Sequence, residues 1–190
     1  MKAGHLRIGS GAGFAGDRWE PAAELVEHGD IDVIAFECLA ERTIARETLA
    51  LLRGSGPGYS PKLEERLRAV LPACAAKGIR IVTNMGAAAP VPAAHAACAL
   101  AAELDVRDFS CAVLIGDDVR DQLSTRAELT LLESGEPLES ILPRMASANA
   151  YLGADAVAEA MASGALAVIT GRIADPSLFV GPMLHAFGWS

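Results

Sequence analysis

Apolar residues recur along this chain in two alternating forms. Some are short unbroken runs of strand length; others are longer stretches spaced three or four apart, as on a helix. Leu6-Arg7-Ile8 opens the first run, which passes into the glycine-rich Gly9-Ser10-Gly11-Ala12-Gly13-Phe14-Ala15-Gly16 and then Asp17-Arg18. Glu20 to Val26 follows as a helix with an acidic, proline-bearing first turn. Ile31 to Glu37 is the second strand, and Leu39 to Leu52 has helical spacing through Ile44, Leu49 and Leu52. A turn-rich loop, Arg53 to Pro61, precedes a helix with Leu63, Leu67, Val70 and Leu71 on one face. Ile79 to Thr83 is a third strand, Pro92 to Leu104 an alanine-rich helix, and Phe109 to Ile115 a fourth strand. Val119 to Arg144 has mixed signal. Ala148 to Leu152 predicts a short fifth strand, Asp155 to Ser163 a helix, and Ala165 to Thr170 a sixth strand, with a last helix from Pro176.

Apolar strands alternating with amphipathic helices predict an α/β fold: a mostly parallel, Rossmann-like sheet of about six strands, covered by helices on both faces. The chain of 190 residues, 52% hydrophobic, suits a single domain over 1–190. A barrel would need more βα units.

Ligands of open parallel sheets bind beyond the carboxyl ends of the strands, and the polar residues of this chain gather there. The first strand delivers Gly11, Gly13, Asp17 and Arg18; the second Glu37; the third Thr83 and Asn84; the fourth Asp117. Asn149 follows on the fifth, and Thr170, Arg172 and Asp175 on the sixth. Helix capping alone accounts for some of these residue types, Asp17, Asp117 and Asp175 above all. Arginine beside acid in several of the loops is not required for folding. Arg18 and Arg172 are candidates to grip a carboxylate or phosphate, and Glu37 and Asp117 to carry protons. Cys38, beside Glu37, has no histidine near it in sequence to activate it as a nucleophile. The glycine run offers exposed amides, positive φ and close backbone approach to an anion.

Net charge of −8, with 24 acids against 16 bases and no basic run, argues against nucleic acid or an anionic membrane as partner. No apolar stretch is long enough to span a bilayer, which points to the cytoplasm. Four cysteines and four histidines lie scattered without metal-site or redox spacing, so no metal is expected.

Gly11-Ala12-Gly13-Phe14-Ala15-Gly16 also satisfies the dinucleotide fingerprint, with Glu37 placed about where a ribose-binding acid belongs. Asp17-Arg18-Trp19 and Pro21, however, delay the helix that should begin at the last glycine.

Several of these blocks resemble the acyclic terpene utilisation (AtuA) family. They are Gly9 to Phe14 through Gly16-Asp17-Arg18, Glu37-Cys38-Leu39-Ala40-Glu41-Arg42-Thr43, Ile81 to Ala88, Gly116-Asp117-Asp118-Val119, Ser147 to Ala154, and Ile169 to Leu178. Where relatives commonly have Ala-Ala-Asn-Pro after the Met-Gly, this chain has Ala88-Ala89-Pro90. The resemblance implies a cytoplasmic protein of branched acyclic terpenoid acid catabolism, with coenzyme A thioesters as substrates; the family name labels a pathway and transfers no catalytic residue. It also implies that the sequence corresponds to the N-terminal portion of a longer domain. A sheet left incomplete at its C-terminus would favour a homo-oligomer or a co-encoded second subunit.

Three readings follow. The first is an enzyme, or the site-bearing subunit of one, acting by proton transfer (hydratase, lyase or isomerase type) on a small anionic or acyl-thioester substrate. The second is an NAD(P)-dependent oxidoreductase using the glycine loop, which nucleotide titration distinguishes. The third is a non-catalytic subunit that completes a partner chain, which predicts tight binding without activity.

Overall fold

The computed structural model describes residues 4–126 and 128–189. Among these residues five parallel strands form one sheet: β1 (Ile8–Ala12), β2 (Val33–Phe36), β3 (Arg80–Thr83), β4 (Cys111–Leu114) and β5 (Ala167–Thr170), in the order β1-β2-β3-β5-β4. The central strands are apolar because both their faces are covered. Every residue of β2 and of β5 is buried. Register runs Ile8 to Val33, Ala35 to Val82 and Val82 to Val168. Pairing of β1 with β2 slips between Ser10 and Ala12. Gly11 lies at that slip, where a Cβ would come 2.5 Å from the Phe36 ring, so only glycine lets the two strands meet there.

Among the described residues, seven α-helices accompany the sheet: α1 (Glu20–His28), α2 (Glu41–Leu52), α3 (Leu63–Lys77), α4 (Pro90–Glu103), α5 (Arg120–Leu123), α6 (Ala154–Ala162) and α7 (Ser177–Phe187). On one face α1, α3 and α4 bury Val26, Leu67, Leu71, Ala97 and Leu100 against Ile34, Phe36, Ile81 and Ile169. On the other, α6 and α7 bury Val157, Met161 and Leu178 against Val33, Ala35, Val82 and Val168. The chain steps one way across the sheet from β1 through β3 to β4, then steps back to β5. A crossover of constant hand puts the helix of a backward step on the opposite face, and α6 lies there. β3 and β5 are therefore neighbours from which the chain departs to opposite faces, which is where an open α/β sheet forms its crevice. α2 packs through Ile44 on Leu39 and Ala87, residues of the loops that follow β2 and β3.

The fifth expected strand does not form: Ala148 to Leu152 makes only single-residue bridges, Asn149 with Asp118 and Leu152 with Ile173. Its polar side chains are drawn instead into bonds with Asp117 and Arg172. The mixed segment 119–144 holds α5 and two single turns of 3-10 helix, Leu138–Ser140 and Leu142–Arg144.

Candidate functional site

A cleft of about 460 Å³ opens beyond the ends of β1 and β2, walled by Gly13 to Gly16, by Glu37 to Ala40, and by Arg42, Thr43 and Arg46 of α2. Glu37 stands at its edge, half-buried. Its Oε1 accepts the amide N–H of Leu39 and the side-chain amide of Asn84, each at 3.0 Å. Asn84 is wholly buried, and its Oδ1 accepts the Cys38 N–H at 2.7 Å. One carboxylate oxygen of Glu37 is thereby fixed, while Oε2 has no hydrogen-bond partner among the described residues. Thr83 donates to the Phe36 carbonyl and accepts the Met85 N–H, so its hydroxyl is spent in closing the strand ends.

The glycine loop is shaped from beneath by Arg66 of α3, a fully buried residue. Its guanidinium donates to the carbonyls of Phe14, Ala15 and Asp17 at 3.4, 3.2 and 2.6 Å, and to the Cys38 sulfur at 3.0 Å. Lys62 adds bonds to the Gly16 and Asp17 carbonyls. In a planar trans peptide the N–H points opposite to the carbonyl, so the N–H groups of Ala15 and Gly16 are directed away from Arg66. Neither has a partner within the described chain. Asp17 serves the loop itself, accepting the Gly13 N–H at 2.9 Å. None of Gly9, Gly11, Gly13 and Gly16 takes a positive φ. The loop thus departs from the expected left-handed nest: the carbonyl anchors, not glycine backbone angles, set the direction of its amides.

A second polar cluster fills the crevice between β3 and β5. Asp117, almost completely buried, accepts the Arg172 backbone N–H at 2.8 Å and the Asn149 amide at 2.9 Å, both on Oδ2. A Cβ on Gly171 would lie 2.5 Å from Asp117 Oδ1, so the approach requires glycine. Burial pushes the Asp117 carboxyl above its ordinary value, with the bonds from Arg172 and Asn149 opposing the shift. Asp117 lines a separate cavity of about 130 Å³ with Thr48, Gly116 and Asn149.

Arg172 is consumed by internal partners. It donates to the Leu39 carbonyl, to Glu41 Oε1 at 3.0 Å and to the Tyr151 hydroxyl at 2.6 Å, lies 3.3 Å from Asp175, and packs 4.2 Å from the Tyr151 ring centroid. The Tyr151 hydroxyl donates in turn to Glu41, and this bond, ahead of the charge of Arg172, holds the Glu41 carboxyl below its usual range. Thr170 donates to the Gly171 carbonyl. Thr170, Arg172, Asp175, Asn149 and Asp117 therefore form one cluster; Gly13, Asp17, Glu37 and Asn84 gather around the larger cleft. Glu37 and Asp117 face different cavities. Arg18 is exposed, outside the walls of the cleft and without an ion pair among the described residues.

A model of the acyclic terpene utilisation (AtuA) family matches residues 6–190. The chain belongs to the acyclic terpene utilisation family. No curated protein and no solved structure matches it significantly.

In this family member the dinucleotide fingerprint lacks its geometry. β1 is an edge strand, α1 begins four residues beyond Gly16, and the loop carbonyls turn inward to Arg66 and Lys62. Cys38 is buried, and burial pushes its thiol up to about 12, with Arg66 opposing the shift; a thiol so placed is a poor nucleophile. Among the described residues no group of three or more His, Cys, Asp or Glu side chains converges as a metal site would, and no helix is long and apolar enough to cross a membrane. Sequence reasoning missed Arg66 and Lys62. Arg66 carried a signal, since it lies three residues after Leu63 and four before Val70, on the apolar stripe of its helix. Lys62 carried none.

Proposed function

We propose that this chain is an enzyme, or the site-bearing subunit of one, in the breakdown of branched acyclic terpenoid acids. Its substrate is an acyl thioester bound in the cleft between the glycine loop and α2, and the reaction is proton transfer at the carbon next to the carbonyl. The observation that carries this reading is Glu37: one oxygen fixed by Asn84 and Leu39, the other open beside a cleft of substrate size. Glu37 takes the proton from carbon, the electron pair of that C–H bond moves into the carbonyl, and negative charge develops on the carbonyl oxygen. The unpartnered N–H groups of Ala15 and Gly16 are donors of the kind that stabilise such an oxygen. Phe14, Leu39 and Ala40 supply apolar surface for the branched chain. Family membership supports the substrate class.

The test is exchange of the substrate's α-proton with solvent deuterium, followed by NMR for a branched acyl thioester. The wild-type chain exchanges it. Glu37→Gln keeps the acceptor oxygen for Asn84 and Leu39, so it should leave the melting temperature unchanged and lower the exchange rate by about a hundredfold or more. Equal exchange in the two proteins would remove Glu37 from the role.

A further inference from the structure

α2 carries Arg42 and Arg46 toward its start and ends against Arg53. Separations of four and seven residues put the three on one face of the helix. Along that face runs a groove of about 460 Å³, floored by Ala45, Leu49 and Ala50 and extending to Arg53 and Ser55. Arg42 and Arg46 line both this groove and the cleft beside the glycine loop, so the two depressions share these two side chains as walls. From Arg42 to Arg53 the helix rises about 16 Å.

The charges of this groove are only partly balanced by the chain. Glu47, buried behind the face, accepts Arg46 Nε at 2.9 Å and a terminal nitrogen at 2.6 Å. Arg42 and Arg53 are exposed and have no carboxylate partner among the described residues. In a chain with a net charge of −8, acids were available to pair them. Guanidinium groups spread along an apolar-floored groove suit a ligand that carries separate phosphates and a flat apolar group able to lie on the floor.

We propose that the α2 groove binds a nucleoside bisphosphate handle, the phosphorylated end of a coenzyme A type thioester, while the acyl end enters the cleft. This rests on the reading of the cleft as an acyl-thioester site. Arg53 contacts only the handle; Arg42 and Arg46 stand where handle and acyl arm join. Phosphate binding by guanidinium groups at an exposed surface weakens as salt rises.

Calorimetric titration separates the parts. Adenosine 3′,5′-bisphosphate represents the handle alone, inorganic pyrophosphate the phosphates without a nucleoside, and a branched acyl-pantetheine thioester the acyl arm without phosphates. The expected result is bisphosphate binding that is salt-sensitive, tighter than that of pyrophosphate, and about tenfold weaker in Arg53→Ala, the loss of one charge-assisted contact. Arg53→Glu should abolish it, with acyl-pantetheine binding unchanged in both variants. Absence of bisphosphate binding, or equal affinity in wild type and both variants, would overturn the assignment. Pyrophosphate binding as tightly as the bisphosphate would remove the nucleoside from it. Should the bisphosphate bind as described while acyl-pantetheine does not bind at all, the handle site stands and the reading of the cleft fails.

Discussion

Asp117 and Glu37 show how similar carboxylates acquire different chemistry from their surroundings. Asp117 is nearly sealed between the β4 and β5 loops, and burial raises its pKa above the ordinary 3.8. A folded-state value raised above the unfolded one means that the native chain holds its proton more tightly than the unfolded chain. The contribution of Asp117 to stability is thus fully present below the unfolded value and lost as pH rises through the folded value. Asp117→Asn keeps an acceptor for Arg172 and Asn149 but does not titrate. Wild type should therefore gain stability relative to this variant as pH falls from about neutral to about pH 4. Urea unfolding of both proteins across that range checks it; a difference that stays constant or moves the other way contradicts the burial argument. Glu37, half-buried and with one oxygen unpartnered, remains available to a substrate.

The element that most needs explanation is the loop after β1. Four glycines suggested that its backbone would curl through positive φ, and none of them does. Neighbouring side chains account for three of them instead: Gly9 and Gly11, within β1, admit Leu25 and the Phe36 ring, and Gly16 the Phe14 ring. The loop's form comes from Arg66, 49 to 52 residues further along the chain than the carbonyls it holds. Removing that guanidinium takes from the Ala15 carbonyl its hydrogen-bond partner and leaves the Phe14 and Asp17 carbonyls only the Asp17 N–H and Lys62. Arg66→Met should destabilise the fold by about 2–5 kcal/mol, and Arg66→Lys should recover only part, because an ammonium cannot reproduce the planar fork. Denaturant unfolding and amide hydrogen exchange over residues 13–17 measure both effects. Unchanged protection of those amides in Arg66→Met would mean that the loop is held by other contacts.

Strands and helices were legible because each is a local period: Val33 to Phe36 and Ala167 to Thr170 are continuous apolar runs, and α3 has its stripe from Leu63 to Leu71. Ala148 to Leu152 was misread because five alternating residues suit a strand equally well when nothing shows that Asn149 and Tyr151 bond to Asp117 and Arg172. Gathering of polar residues at the carboxyl edge was also legible. Their division into two groups was not, since it depends on contacts such as Arg172 to Glu41, 131 residues apart. Nor is that edge alone in holding polar groups: Asp32, Arg80 and His185 line a smaller cavity at the opposite end of the sheet.

At the scale of the whole molecule, reversal of the winding between β4 and β5 creates a crevice beside β3, and the chain fills it with Asp117, Asn149 and Arg172. Room for a substrate is found instead beyond β1 and β2, where α2 stands over the strand ends as a wall. Amide chemical-shift mapping with a branched acyl-pantetheine thioester tests that placement most directly. Binding in the cleft predicts the largest shifts at Phe14 to Gly16, Glu37 to Ala40 and Arg42 to Arg46, with little change around Asp117 and Asn149. Shifts centred on Asp117 and Asn149, or on Arg80 and His185 at the far end of the sheet, would contradict it.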